Sequence, residues 1–357
     1  MTGPSLDTAV VRCMRRWVLL LSVVLTTSWC IPAALAQSSA AAPSSPVVPV
    51  ATDRPVSIEP EAFYAARTNS DRSGRVHASV LVNGQGPFRF IVDTGANRSA
   101  LAPSTVERLG LRTADVEEIM VHGVTGVASM PAVRAESLTA GALELSATVL
   151  PVLSGDVFGS ADGILGMAGV ANVRLDIDFV NDRVMIVPST GRRAPDGFLV
   201  IKARLWQGGL LLVDGRVGRV PTKIILDTGA EKTIGNDVLL KALEGAHEWS
   251  NEFGTTVHGA TPAIGSGIYF LAPKISIGPA SLLELPVTFG DLHVFKLWSL
   301  QDVPAMVVGM DVLGRLEHFI VDYKRREFQL KGIGTQGALI RRCTPGTCGS
   351  RIPENRG

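Results

Sequence analysis

A chain of 357 residues has room for one large domain or two modest ones, each with a real core. Its formal net charge of +1 gives no reason to expect a nucleic acid or an acidic partner. Hydrophobic residues at 46% and charged residues at 19% make an ordinary globular composition, raised slightly by an apolar N-terminus.

Residues 1–36 stand apart from any fold. Arg12, Arg15 and Arg16 precede an apolar run from Trp17 to Leu25, and Ala34-Leu35-Ala36 offers a small-residue cleavage site before Gln37. This is the pattern of a secretory signal peptide, so an exported, periplasmic or secreted protein is expected. The residues around Arg15-Arg16 fit a twin-arginine signal poorly, and Trp29 before Cys30 argues against lipidation. The competing reading is an uncleaved anchor, because 17–36 is just long enough to span a bilayer. Pro32 and the Ala-rich end favour cleavage, after which no stable membrane association is expected. Residues 37–74 begin as an Ala/Ser/Pro-rich stretch without periodicity and read as a flexible tether.

From 75 to 187 the chain alternates short strands and turns, and 188–197 (PSTGRRAPDG) is a polar linker to a second such region, 198–334. Leu81-Val82-Asn83-Gly84 and Leu212-Val213-Asp214-Gly215 each read as an Asn/Asp-Gly hairpin turn. Phe90-Ile91-Val92-Asp93-Thr94-Gly95-Ala96 returns as Ile224-Ile225-Leu226-Asp227-Thr228-Gly229-Ala230. In each, an apolar strand ends in an acid and Thr-Gly turns the chain. At the same offset Ser99 aligns with Thr233, and 103–109 with 237–243. Both of those segments predict short helices, followed by Gly110 and Gly245. Val121-His122-Gly123 answers Val257-His258-Gly259, and Leu138-Thr139-Ala140-Gly141 answers Ile275-Ser276-Ile277-Gly278. Ile164-Leu165-Gly166 and Val307-Val308-Gly309 follow, and each half closes on a charged hairpin, from Asp178-Phe179 to Val187 and from Asp322-Tyr323 to Leu330. The pattern is an internal duplication. Residues 335–357 form a basic tail in which Cys343 and Cys348 flank Pro345-Gly346, close enough for a disulfide in an oxidising compartment. No further ligands accompany them, so no metal site is expected.

The doubled Asp-Thr-Gly-Ala after three apolar residues, the Gly-containing hairpin and the apolar-apolar-Gly turn resemble the aspartic proteases. Each half is similar to a retroviral-type (retropepsin-like) subunit and the whole to the two-lobed pepsin arrangement, over roughly residues 75–334. The resemblance implies an all-β fold of two pseudo-twofold lobes, each with a short helix and a flap-like hairpin. It implies an endopeptidase that takes a peptide or protein substrate and needs no cofactor. Asp93 and Asp227 would be the catalytic pair. Two carboxyls in contact cannot both ionise easily and share a proton, so one serves as base while the other serves as acid. Thr94 and Thr228 would brace the two loops, with Gly95 and Gly229 letting backbone amides approach the acids. Ala96 and Ala230 match the retroviral pattern. His122-Gly123 through Gly126 and His258-Gly259 would belong to the flaps. The first hairpin lacks the Tyr usual in pepsin-like enzymes, and Tyr269, after the second, has no clear match.

Plainer readings stand beside these. His122 and His258 also read as surface residues carried along by duplication, and Asp162, Asp178, Asp311 and Asp322 as turn or salt-bridge acids. No Walker loop, H-E-x-x-H or G-x-S-x-G motif is present. A catalytically weak peptide-binding protein on the same fold is the alternative function. The short linker favours a monomer over a dimer that exchanges lobes.

Overall fold

The computed structural model describes residues 74–153, 156–244, 253–283 and 285–332. The expected signal segment, the tether up to residue 73, Gly245 and the tail with Cys343 and Cys348 lie outside the described residues. The fold is all-β, with curled sheets and four short helices among the described residues.

The first half begins with β1 (His77–Val82) and β2 (Gln85–Val92), an antiparallel hairpin. Asn83 and Gly84 both take positive φ, 52° and 70°, as a tight two-residue hairpin turn requires. β1 alternates buried and partly exposed residues after its first pair, whereas β2 ends in three buried ones, Phe90, Ile91 and Val92. That change marks where β2 becomes enclosed: β8 (Gly163–Leu165) runs parallel beside it. Between them come β3 (Ala100–Leu101) and α1 (Pro103–Leu109), which starts on Pro and stops at Gly110 in the left-handed region. A two-stranded hairpin follows, β4 (Ile119–His122) and β5 (Val127–Met130), then the long pair β6 (Ala132–Ala140) and β7 (Leu143–Pro151). The main sheet has the order β3-β8-β2-β1-β6-β7.

The second half follows the same plan. β11 (Leu199–Lys202) and β12 (Arg204–Trp206) lead into β13 (Leu210–Val217) and β14 (Val220–Leu226). β15 (Ile234–Gly235) and α2 (Asp237–Glu244) come next, then the hairpin of β16 (Phe253–His258) and β17 (Ile264–Ala272). β18 (Ile275–Ile277), β19 (Ala280–Leu282), β20 (Leu285–Phe289) and α3 (His293–Leu297) precede β21 (Ala305–Val308) and α4 (Met310–Leu313). β21 runs parallel to β14 and antiparallel to β15, as β8 does to β2 and β3.

The hairpin turn expected at Asp214-Gly215 is not there. Both residues lie inside β13, opposite Lys223 and Thr222, and the chain turns at Gly218-Arg219 instead. Asp214 is tolerated in a strand because Lys223 Nζ, at 2.6 Å, and Arg204 Nη2, at 3.2 Å, neutralise it on the exposed face. Gly215 marks a close approach: a β-carbon there would sit 2.7 Å from the Ser276 carbonyl of β18.

The two halves share one sheet. β9 (Val173–Asp178) and β10 (Arg183–Pro188) from the first half join β22 (His318–Asp322) and β23 (Glu327–Lys331) from the second, in the order β10-β9-β22-β23-β11. Its inner face carries Leu175, Ile177, Phe319, Val321, Phe328 and Leu330 into a core shared with Phe90, Val92, Leu165, Leu226 and Val308. The opposite face is polar and ion-paired. His318 Nε2 lies 2.6 Å from Asp176, Arg174 Nη1 lies 3.7 Å from Asp322, and Ser189 Oγ donates to Asp322 at 2.7 Å. Asp178 and Asp322 also accept backbone amides of their own turns, from Val180, Asn181 and Arg325.

Because Phe319 is fully buried between Phe179 and Phe328 in this shared sheet, Phe319→Ala is expected to cost about 3–5 kcal/mol. Denaturant titration should show a lower midpoint with unchanged slope and a single transition, since the strand belongs to both halves.

Candidate active site

Each Asp-Thr-Gly loop is held by its own half in the same way. The Asp93 amide donates to the Leu165 carbonyl and the Asp227 amide to the Val308 carbonyl, both at 3.0 Å, so each acid begins where a central parallel strand pair ends. Beyond the loop, the Met167 amide bonds the Ala96 carbonyl and the Met310 amide bonds the Ala230 carbonyl, both at 2.8 Å. Ser99 Oγ accepts the Gly166 amide at 3.1 Å and Thr233 Oγ1 accepts the Gly309 amide at 3.2 Å. The alignment of Ser99 with Thr233 was visible in the sequence, but this task of tying the glycine turn to the loop was not. Asp311 secures Thr233 further, accepting its amide and hydroxyl at 3.0 and 2.8 Å. Asp162 accepts the Arg89 amide at 2.8 Å and pairs with Arg108 at 2.7 Å.

Across the halves the loops are cross-linked reciprocally. Thr94 Oγ1 accepts the Thr228 amide at 3.0 Å and donates to the Leu226 carbonyl at 2.8 Å. Thr228 Oγ1 accepts the Thr94 amide at 3.1 Å and donates to the Val92 carbonyl at 2.6 Å. Both threonines are buried, so these four bonds do not compete with water. The acids are exchanged just as symmetrically. A β-carbon on Gly95 would overlap the Asp227 carboxyl, and one on Gly229 would overlap the Asp93 carboxyl. Only glycine at these two positions lets each acid lie over the other loop's backbone.

Asp93 and Asp227 therefore meet, and their electrostatics follow from the contact. Burial, then the Asp227 charge, pushes the Asp93 carboxyl well above the usual carboxylate range, against the Gly95 amide that donates to it at 2.9 Å. Burial raises Asp227 too, but the amides of Gly229 and Ala230, at 2.8 and 3.2 Å, hold it back and favour negative charge there. Contact couples the two titrations, and the backbone amides favour the anion at Asp227. Beneath them lies Tyr323, a buried phenol whose hydroxyl has no hydrogen-bond partner among the described residues. Its titration is pushed upward by burial and then by both acids. No sequence motif singled out Tyr323, and its counterpart in the first half is Phe179.

The two hairpins meet tip to tip near this pair. Thr125 Oγ1 donates to the Ala263 carbonyl at 2.6 Å, and Gly123 and Gly126 face Thr261 and Ala263. Gly259 in turn faces Val124 and Thr125. Val121, Ala128 and Ala260 pack with Ala96 on one apolar cluster, while Val124 and Val257 pack with Ala230 on another. Tyr269 is not after the second hairpin but inside its return strand, opposite Phe253. The two histidines differ in surroundings: His122 meets His293 of α3, whereas His258 lies 3.4 Å from Thr256 of its own strand. Among the described residues no three His, Cys, Asp or Glu side chains are arranged to hold a metal ion.

Removing the negative charge of Asp227 leaves Asp93 buried but unrepelled. In Asp227→Asn, carboxyl-detected NMR titration should find the Asp93 pKa lower than in the wild type yet still above the ordinary carboxylate value of about 3.9.

No curated protein matches the chain. Residues 78–168, from β1 past the Gly166 turn and including Asp93, match the family model described as aspartyl protease.

Proposed function

We propose that the chain is an aspartic endopeptidase in which Asp93 and Asp227 together activate one water. The observation that carries this reading is the reciprocal contact of two buried carboxyls, one favouring the proton and the other the charge. In the one-proton state Asp227 takes a proton from the water as its oxygen bonds to the peptide carbonyl carbon. Asp93 gives its proton to the carbonyl oxygen. As the diol collapses and the C–N bond breaks, Asp227 gives its proton to the leaving nitrogen and a diol hydroxyl gives its proton to Asp93, so the pair is restored with one proton. The apolar clusters beside Ala96 and Ala230 receive side chains of an extended or unfolded segment, which enters once the hairpins part.

The second half, which lies beyond the matched residues 78–168, supplies the other acid in the way a second retroviral-type subunit would, and both hairpins are kept. We read the protein as an exported monomer. Loops that pair within one chain gain a high effective concentration from the short connection between β10 and β11.

Incubation with an unfolded protein from about pH 3 to about pH 8, with and without a statine-type inhibitor, tests the reading. Activity should be bell-shaped. It falls in acid as both carboxyls take protons, and it falls on the alkaline side only above ordinary carboxylate titration, where the raised Asp93 loses its proton. Asp93→Asn and Asp227→Asn should each lower turnover by about 10²–10⁴-fold, and the double variant should be little worse. Inhibitor binding without turnover at any pH would instead support a peptide-binding protein.

A second expectation concerns assembly. Mixing inactive Asp93→Asn chains with inactive Asp227→Asn chains should restore nothing, because both loops of each site come from one chain. Recovered activity would mean that lobes exchange between chains.

A further inference from the structure

The two hairpins are attached differently. β17 runs unbroken from Ile264 near the tip to Ala272 and pairs with β20, so the second hairpin is continuous with the large sheet. The first is a two-stranded sheet of its own, because Pro131, without an N–H, separates β5 from β6. No ladder of the larger sheets holds it, so what fastens it to the opposite half matters. The Val294 amide of α3 donates to the Val124 carbonyl at 3.1 Å, and Val124 packs against the cluster containing Phe295 and Trp298. One residue outward from Gly123, His122 Nδ1 lies 3.2 Å from His293 Nε2, with the rings stacked at 19° and their centroids 5.4 Å apart.

We propose that His122 and His293 form an acid-sensitive latch that holds the first hairpin closed on α3 and releases it when both imidazoles are protonated. A hydrogen bond between two imidazoles needs one nitrogen with a proton and one without, so it survives with no net charge or with one, but not with two. Among the described residues no carboxylate pairs with either ring. On the α3 side Lys296 is cationic, and its ammonium engages Asp291 at 2.8 Å. On the hairpin side Glu118 is held by Ser129 Oγ at 2.7 Å, and on the second hairpin His258 lies by Thr256. Burial, then His122, then Lys296 all depress the His293 pKa.

The closed form thus binds fewer protons than the open form. The latch is complete above the ordinary imidazole pKa of about 6.5 and is lost as pH falls through the depressed value. Acid then opens the hairpin in the range where a one-proton carboxyl pair works. That consequence rests on the protease reading, but the latch itself does not.

Hydrogen exchange of the full chain tests it without any hydrolysis. Protection of the amides in 119–130 and 292–298, corrected for intrinsic rates, is compared at about pH 7.5 and about pH 4.5. The variants His122→Gln and His293→Gln, one in each half, replace one imidazole by an amide that can donate or accept, so the pair can never carry two charges. Wild-type protection should fall on the order of tenfold for each unit by which the pair's pKa is depressed, and that of either variant by less than about twofold. No fall in the wild type, or an equal fall in the wild type and both variants, overturns the latch. A protein that shows the latch but cleaves no peptide would sink the protease reading alone.

Discussion

Everything near the centre of this molecule depends on holding two carboxyls together against their mutual repulsion. Each ionised acid disfavours the other, and burial disfavours both, so the arrangement is intrinsically costly. The compensation is local and doubled. Four buried hydrogen bonds through Thr94 and Thr228 tie each loop to the main chain of the other half, and backbone amides solvate the acids in place of water. The loops cannot drift apart without leaving four buried polar contacts unmade. The approximate twofold symmetry at the centre is thus a consequence of reciprocity: each threonine is at once donor and acceptor for the other half.

Symmetry weakens with distance from that centre, and the departures have physical causes. A single proline isolates the first hairpin from its sheet, while the second continues into β20. Tyr323 beneath the acids has only Phe179 as its partner by position, so the hydroxyl exists on one side alone. α3 presents His293 to the first hairpin, and among the described residues no second ring pairs with His258. Even the two acids differ in their donors: the amides of Gly229 and Ala230 both reach Asp227, whereas that of Gly95 reaches Asp93.

Much of this was legible in the residues because the signals were local. Asn83-Gly84 turns where its backbone freedom says it should, α1 spans the segment between Pro103 and Gly110, and the repeated strand-Asp-Thr-Gly brought Asp93 and Asp227 to one place. Asp214-Gly215 carried the same local signal and failed. Cross-strand cations satisfied the acid, and the glycine served a close contact with β18 rather than a turn. Its neighbours in space decided, and they lie in other elements. For the same reason His293, Tyr323 and the five-stranded order β10-β9-β22-β23-β11 could not be read: each depends on which distant segments are brought together.

That shared sheet has a further bearing on the acids. β9 and β22 pair Leu175 with Val321 and Ile177 with Phe319, all apolar and all inward. A one-residue slip of β22 would turn Phe319 and Val321 outward and Asp322 and His318 inward. It would also move the halves by about 3.3 Å, the rise of one strand residue. The threonine bonds tolerate only a few tenths of an ångström around about 2.9 Å, so a slipped register and a joined pair of loops exclude each other. The polar pairs on the other face, His318 with Asp176 and Arg174 with Asp322, form between β9 and β22 and penalise the same slip. Such half-buried pairs are weak evidence for stability. Their value here is in register: they make one alignment of the halves much better than its neighbours, and that alignment is the one in which Asp93 and Asp227 touch.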